Sequence, residues 1–313
     1  MIYDIACRDR GIKKIHTVTF SPKSIDMTCQ TTLRCIAEVH GRGYFSGDAV
    51  TVELRPAPAN TGLIFVRSDC HPHVRIPARL DYRVDDLRRT TVARNGIRVE
   101  MIEHVMAALV GMQIDNCEVW IDRTEMPAGD GSARAFTHAL STVGTVQQAE
   151  PVAYLPLTET VKVGNDEAWI EAGPSTADGL QMRYELDYSH APAIGRQSFQ
   201  ATITPQVFAE QISTARSFLL LEEAEWLRSR GLGTHVTHDE ILVFDDDGPL
   251  ENELRFPDEC VRHKLLDLIG DLGLCGHRVT GQFTACRSGH QLNAALAQEL
   301  VLTAQPAVHG RIA

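Results

Sequence analysis

The segment Val261-Arg262-His263-Lys264-Leu265-Leu266-Asp267 carries an imidazole and a carboxylate four residues apart. On a helix such positions share one face a turn apart, and Asp271 extends the stripe by a further turn. A histidine and a carboxylate aimed at one point make half of a zinc site, because catalytic zinc commonly takes three N or O ligands and keeps a fourth position open. The same spacing is also what an ordinary polar helix face shows, so the motif needs companions.

Glu103-His104 is one such companion. It joins a third ligand, His104, to a carboxylate, Glu103, that could take a proton from water beside a metal. An acidic residue is equally at home at a solvated helix start. Ser288-Gly289-His290 is the other. A histidine there could serve as general acid, or as a cation stabilising an oxyanion, with Asp271 raising its pKa and fixing its tautomer. It could also simply cap a helix.

These residues need elements to hold them. Ile102, Val105, Met106, Leu109 and Met112 recur at three- and four-residue spacing and predict an amphipathic helix over 101–112. Long helices are expected over 258–274 and 291–302 with a strand over 278–286 between them, so His290 falls at a strand-to-helix junction. Short strands are expected over 31–39, 49–55, 62–67 and 116–121, a helix over 133–143, and a linker over 147–156. Strands follow around Val161, Trp169 and Met182, then helices over 206–214 and 222–230 and a buried strand over 241–244. Strand runs followed by helices, occurring twice, predict an α+β fold of two similarly built domains. The domains would span 28–150 and 151–313, after an extension over 1–27. No residue-level repeat links the halves.

A formal net charge of -11 disfavours a nucleic-acid partner, since phosphate neutralisation needs a basic surface. An anionic ligand must then be met by a few placed cations. The 313 residues and 43% hydrophobic content allow two cores. No apolar run approaches the roughly 20 residues of a membrane-spanning helix, and the start lacks the apolar stretch of a secretory signal, so a cytoplasmic protein is expected. Eight cysteines without a CxxC pair argue against a disulfide framework or a thiolate zinc site.

From about residue 30 to 300 the chain resembles the UDP-3-O-acyl-N-acetylglucosamine deacetylase family of lipid A synthesis. The Glu-His pair and His-Lys-x-x-Asp carry the resemblance, with Leu54-Arg55-Pro56-Ala57-Pro58-Ala59-Asn60-Thr61-Gly62, Ile114-Asp115-Asn116, Asp130-Gly131-Ser132, Ala215-Arg216-Ser217-Phe218 and Ser229-Arg230-Gly231-Leu232. It implies a zinc-dependent amide hydrolase of two α/β sandwich domains with the site between them, acting on a UDP-linked acylated amino sugar in the committed deacetylation step; a monomer is expected. It implies zinc on His104, His263 and Asp267, Glu103 as general base, His290 as acid or electrostatic histidine, and Asp271 supporting it. Ser217, where the family has threonine, would keep a hydroxyl for the oxyanion. Lys264 would bind substrate, and Phe218 would pack on the sugar. Two other readings are a deacetylase of a different N-acetyl sugar nucleotide and a non-catalytic binder of zinc or a sugar nucleotide. Glu103 argues against the second, because a structural metal needs no base.

Three segments depart from the family pattern. Gly43-Tyr44-Phe45-Ser46-Gly47 stands for Gly-Leu-His-Thr-Gly, His235-Val236 for Gly-Gly, and Val99-Glu100-Met101-Ile102 lacks the usual Ser-Thr. The first two exchange space or a polar histidine for bulk and bear on substrate fit near the sugar or acyl chain. Cys70-His71-Pro72-His73, His235 and His238 read as loop residues rather than metal ligands. Residues 1–26 carry no family motif, and a chain beginning at Met27 is expected to fold and act normally.

Overall fold

The computed structural model describes residues 28–303, so the extension over 1–27 and the expectation about Met27 lie outside the described residues. Among those residues six α-helices form: α1 (Glu103–Gly111), α2 (Arg134–Val143), α3 (Pro205–Gln211), α4 (Leu221–Ser229), α5 (Glu259–Leu272) and α6 (His290–Thr303). None is long and apolar enough to cross a membrane.

The helices pack around two sheets of the same design. The first runs Ala37–Arg42, Ala49–Pro56, Cys117–Ile121, Leu63–Arg67, Val74–Pro77. The second runs Val161–Gly164, Trp169–Gly173, Arg278–Cys286, Leu180–Tyr188, Gly195–Ile203, with Tyr154–Pro156 beside the start of Arg278–Cys286. Across either sheet the neighbours are antiparallel, antiparallel, parallel and antiparallel. In both, the central strand is the last of the five along the chain, preceded by an inner helix (α1 or α5) and followed by another (α2 or α6). Each half also carries an insertion at the same place, between its fourth strand and its inner helix. The first holds a three-stranded sheet, Arg83–Val84, Thr91–Arg94 and Ile97–Glu100. The second holds α3, then the parallel pair Phe218–Leu220 and Leu242–Phe244 around α4. The α+β class read from the sequence therefore stands, and the halves repeat in topology without repeating in residues.

Side-chain alternation explains the strands. Val50, Val52 and Leu54 of Ala49–Pro56 and Cys117, Val119 and Ile121 of the next strand point into the core, while Thr51, Glu53 and Arg55 point away. The linker expected over 147–156 is instead strand: Thr145–Pro151 pairs with Cys29–Leu33, and Tyr154–Pro156 joins the second sheet. Its polar composition misleads because Thr145–Pro151 is itself largely exposed. The strand expected over 31–39 is broken into Cys29–Leu33 and Ala37–Arg42. The helix expected to be amphipathic over 101–112 is shorter, and Val105, Met106, Ala107, Ala108 and Leu109 are all fully buried. A helix buried all round lies between layers rather than on a surface.

Its neighbour is α5, where only Arg262 and Lys264 escape full burial. The two inner helices touch at Gly270, where a Cβ would lie 2.1 Å from the backbone oxygen of Glu103. That close approach brings the polar first turn of α1 against the acidic stripe of α5. Gly270→Ala should therefore lower stability by roughly 1–3 kcal/mol or more through overpacking, although alanine favours a helix by about 1 kcal/mol. Thermal melting checks this, and an unchanged or raised Tm would show that the helices need not meet there.

Candidate active site

Glu103 and His104 form the first turn of α1, and His263, Asp267 and Asp271 descend one face of α5. The seam brings them together. Donor atoms of His104, His263 and Asp267 all lie within 4.8 Å of one another, and all three residues are buried. The Oδ1 atom of Asp267 is 3.4 Å from His263 Nε2 and 3.8 Å from His104 Nε2. Its other oxygen is held by Lys264 Nζ at 3.1 Å, so the carboxylate turns one oxygen to the histidines and the other to a cation.

Burial decides the protonation of this group. It pushes His104 down to about 3, helped by neighbouring His263. It also lowers His263, against the pull of Asp267. Both imidazoles are therefore neutral near pH 7, the form that binds metal. Burial alone would raise Asp267, but His263 and Lys264 more than offset it and hold the carboxyl low. Burial would likewise discharge Lys264, and Asp267 reverses this and raises its pKa. The Nδ1–H of His263 points to the carbonyl of Ala215 at 3.1 Å, which leaves Nε2 as the free donor and fixes the ring. Two neutral imidazoles and a carboxylate fit a divalent metal.

Glu103 stands at the positive end of α1, yet burial raises its carboxyl to about 7, against the charge of His290. One oxygen accepts the Thr90 backbone N–H at 3.0 Å. His290 opens α6, and its Nδ1 is 2.9 Å from Asp271 Oδ2. Burial would lower this histidine, but Asp271 beside it, by charge and hydrogen bond, raises it to about 9. His290 is thus a cation whose Nδ1 is committed and whose Nε2 is not.

Ser217 places its hydroxyl 3.1 Å from His263 Nε2. Its backbone N–H donates to Gly131 and its carbonyl accepts from Leu242. Gly131, at φ +79 with Glu240 carbonyl 2.2 Å from a would-be Cβ, leaves no room for a side chain. The Asp130-Gly131-Ser132 motif thereby supports the serine. Phe218 is buried against Tyr188, with Lys264 Nζ 5.7 Å above its ring.

Several supporting residues were given no role from the sequence. Arg216 and Glu259 form a buried pair at 2.8 Å that locks the 215–217 segment to the start of α5. Asn293 donates to Asp271 at 2.7 Å. Only its place three residues after His290, on one helix face, could have pointed to it. Asn60 and Asn116 sit elsewhere. Their amides, with Gln30 and Gln148, fasten the Cys29–Leu33 pairing to the first sheet. Asp115 meets Arg278 of the second sheet at 2.7 Å.

The first two departures from the family pattern meet in space. His235 Nε2 lies 3.1 Å from the Gly43 carbonyl, and Tyr44 and Val236 share a small apolar cluster against which Phe45 packs. Bulk gained in one segment is matched by bulk in the other, beside a cavity of about 840 Å³ lined by Arg42, Ser46, His235 and Glu240.

The chain is similar to known proteins over most of its length. Residues 30–302 match the family described as LpxC, UDP-3-O-acyl N-acetylglycosamine deacetylase. Proteins named UDP-3-O-acyl-N-acetylglucosamine deacetylase are similar over most of both chains. That of Histophilus somni is 38% identical over 88% of this chain and 90% of its own. That of Oleidesulfovibrio alaskensis is 41% identical over 84% and 86%, and that of an Anaeromyxobacter species 40% identical over 86% of each.

If the buried triad holds a metal, removing one of its three donors should release or displace the ion. His263→Ala is expected to purify with well under one divalent metal per chain by elemental analysis. Full metal content in that variant would contradict the assignment.

Proposed function

The chain belongs to the UDP-3-O-acyl N-acetylglycosamine deacetylase family, and on that premise we propose how its residues carry out the hydrolysis, with zinc on His104, His263 and Asp267. It is a hydrolase that removes the acetyl group from UDP-3-O-acyl-N-acetylglucosamine, a step of lipid A synthesis. The observation that carries the residue assignment is the placement of a carboxylate poised near 7, Glu103, next to three metal-type donors at one buried seam. Zinc there would lower the pKa of water towards roughly 7 and polarise the amide carbonyl.

The remaining work falls to the protein. Glu103, with a pKa near neutrality, takes the proton of the attacking water. The Ser217 hydroxyl and the His290 cation are assigned to the oxygen that gains charge as the carbonyl is attacked. Asp271 keeps His290 charged and turned. Departure of the amine then needs a proton from Glu103 or His290. Lys264 and Phe218 are assigned to the anionic nucleotide and the sugar, with Lys264 also orienting Asp267.

A division near residue 150 into two similarly built domains fits the repeated sheet order. All of these groups come from one chain, in keeping with a monomer, and a cytoplasmic location remains part of the reading. The rebuilt contact between residues 43–47 and 235–236 is the place where sugar or acyl preference would differ from that of relatives.

Glu103→Gln separates catalysis from binding. It should keep its metal and its affinity for the UDP-sugar while kcat falls roughly 10²-fold or more, the usual scale for a lost general base. An unchanged kcat would assign proton removal to another group.

A further inference from the structure

Thr90 lies in the insertion of the first half, 13 residues before Glu103 and far along the chain from His290. It is 2% exposed, and every polar group it has is spent on the site. Its N–H donates to Glu103 Oε2 at 3.0 Å, and its carbonyl accepts the N–H of Ile102, the residue that opens α1, at 3.2 Å. Its hydroxyl donates to Asp271 Oδ1 at 2.6 Å and lies 3.3 Å from His290 Nδ1.

Asp271 is 1% exposed and is held by three donors: Thr90, from the insertion of the first half, on Oδ1, and His290 and Asn293, both from α6, on Oδ2. The two contacts on Oδ2 let the carboxylate swing about that atom. Among the described residues only the Thr90 hydroxyl fixes Oδ1, and through it the plane of the carboxylate and the direction of the imidazole. We propose that Thr90 is the positioning residue of the reaction, a single residue that clamps the proton-accepting carboxylate through its backbone and aims the Asp271–His290 pair through its side chain. This rests on the deacetylase reading for its kinetic consequence but not for its geometry.

Thr90→Val keeps the shape and the backbone bond to Glu103 but removes the hydroxyl, so a buried carboxylate oxygen loses its partner. Thr90→Ser restores the hydroxyl. Residues that orient the groups doing chemistry typically cost 10- to 100-fold when removed. The expected result for Thr90→Val is a kcat lower by about that factor, KM within about twofold, and unchanged metal per folded chain. Thr90→Ser should return kcat to within a few-fold of wild type.

A second readout needs no substrate. The downfield Nδ1–H proton resonance of His290, identified by its loss in His290→Gln, should shift and exchange faster in Thr90→Val and be retained in Thr90→Ser. A Thr90→Val protein with wild-type kcat and an unmoved resonance would overturn the proposal. So would one that merely melts at lower temperature with full activity per folded molecule. A wild type inert towards the substrate would instead refute the deacetylase reading, and the resonance would still decide for or against Thr90.

Discussion

The packing of α1 against α5 at Gly270 is the contact on which the rest of the molecule depends. It presses six ionisable residues, Glu103, His104, His263, Lys264, Asp267 and Asp271, into a seam where five are buried and Lys264 is partly so. Burial there makes an uncompensated charge costly, so each charge must be paired or given up. The outcome is ordered: two imidazoles surrender their protons, Asp267 keeps its charge against Lys264, and Asp271 keeps His290 positive. Glu103 is held between its two states. Three metal-type donors beside a carboxylate poised near neutral pH are what remain when those costs are balanced.

The repeated architecture explains how two distant stretches of chain reach that seam. Each half threads its last strand into the middle of a sheet, and the helix before that strand becomes an inner helix. The insertions occupy equivalent positions and deliver different supports. One brings Thr90 to Glu103 and Asp271, and the other brings Ser217 and the Ala215 carbonyl to His263. The framework is duplicated, while the chemistry is divided between the copies.

The helical stripe of His263, Asp267 and Asp271 was legible because one helix supplies all three at turn spacing, and α5 formed close to its expected span. That Glu103 and His104 would join them was legible only through the motif resemblance, since no local pattern links residues some 160 apart. Thr90, the Ala215 carbonyl and Asn293 were missed because their roles arise from tertiary contacts of common residue types. Periodicity misled in α1, where a face of spaced apolar residues gave no hint that alanines and a carboxylate on the other side were buried too. It misled again over 147–156, because an exposed polar strand has the composition of a linker.

The central claim is that this chain hydrolyses an acetamide through one metal held at the seam. The most direct measurement is acetate release from UDP-3-O-acyl-N-acetylglucosamine by protein first stripped of metal and then titrated with zinc. The account predicts no release by the stripped protein and a rise in activity that reaches its maximum at one zinc per chain. Acetate release by the metal-free protein, or none by the protein carrying one zinc, would contradict it.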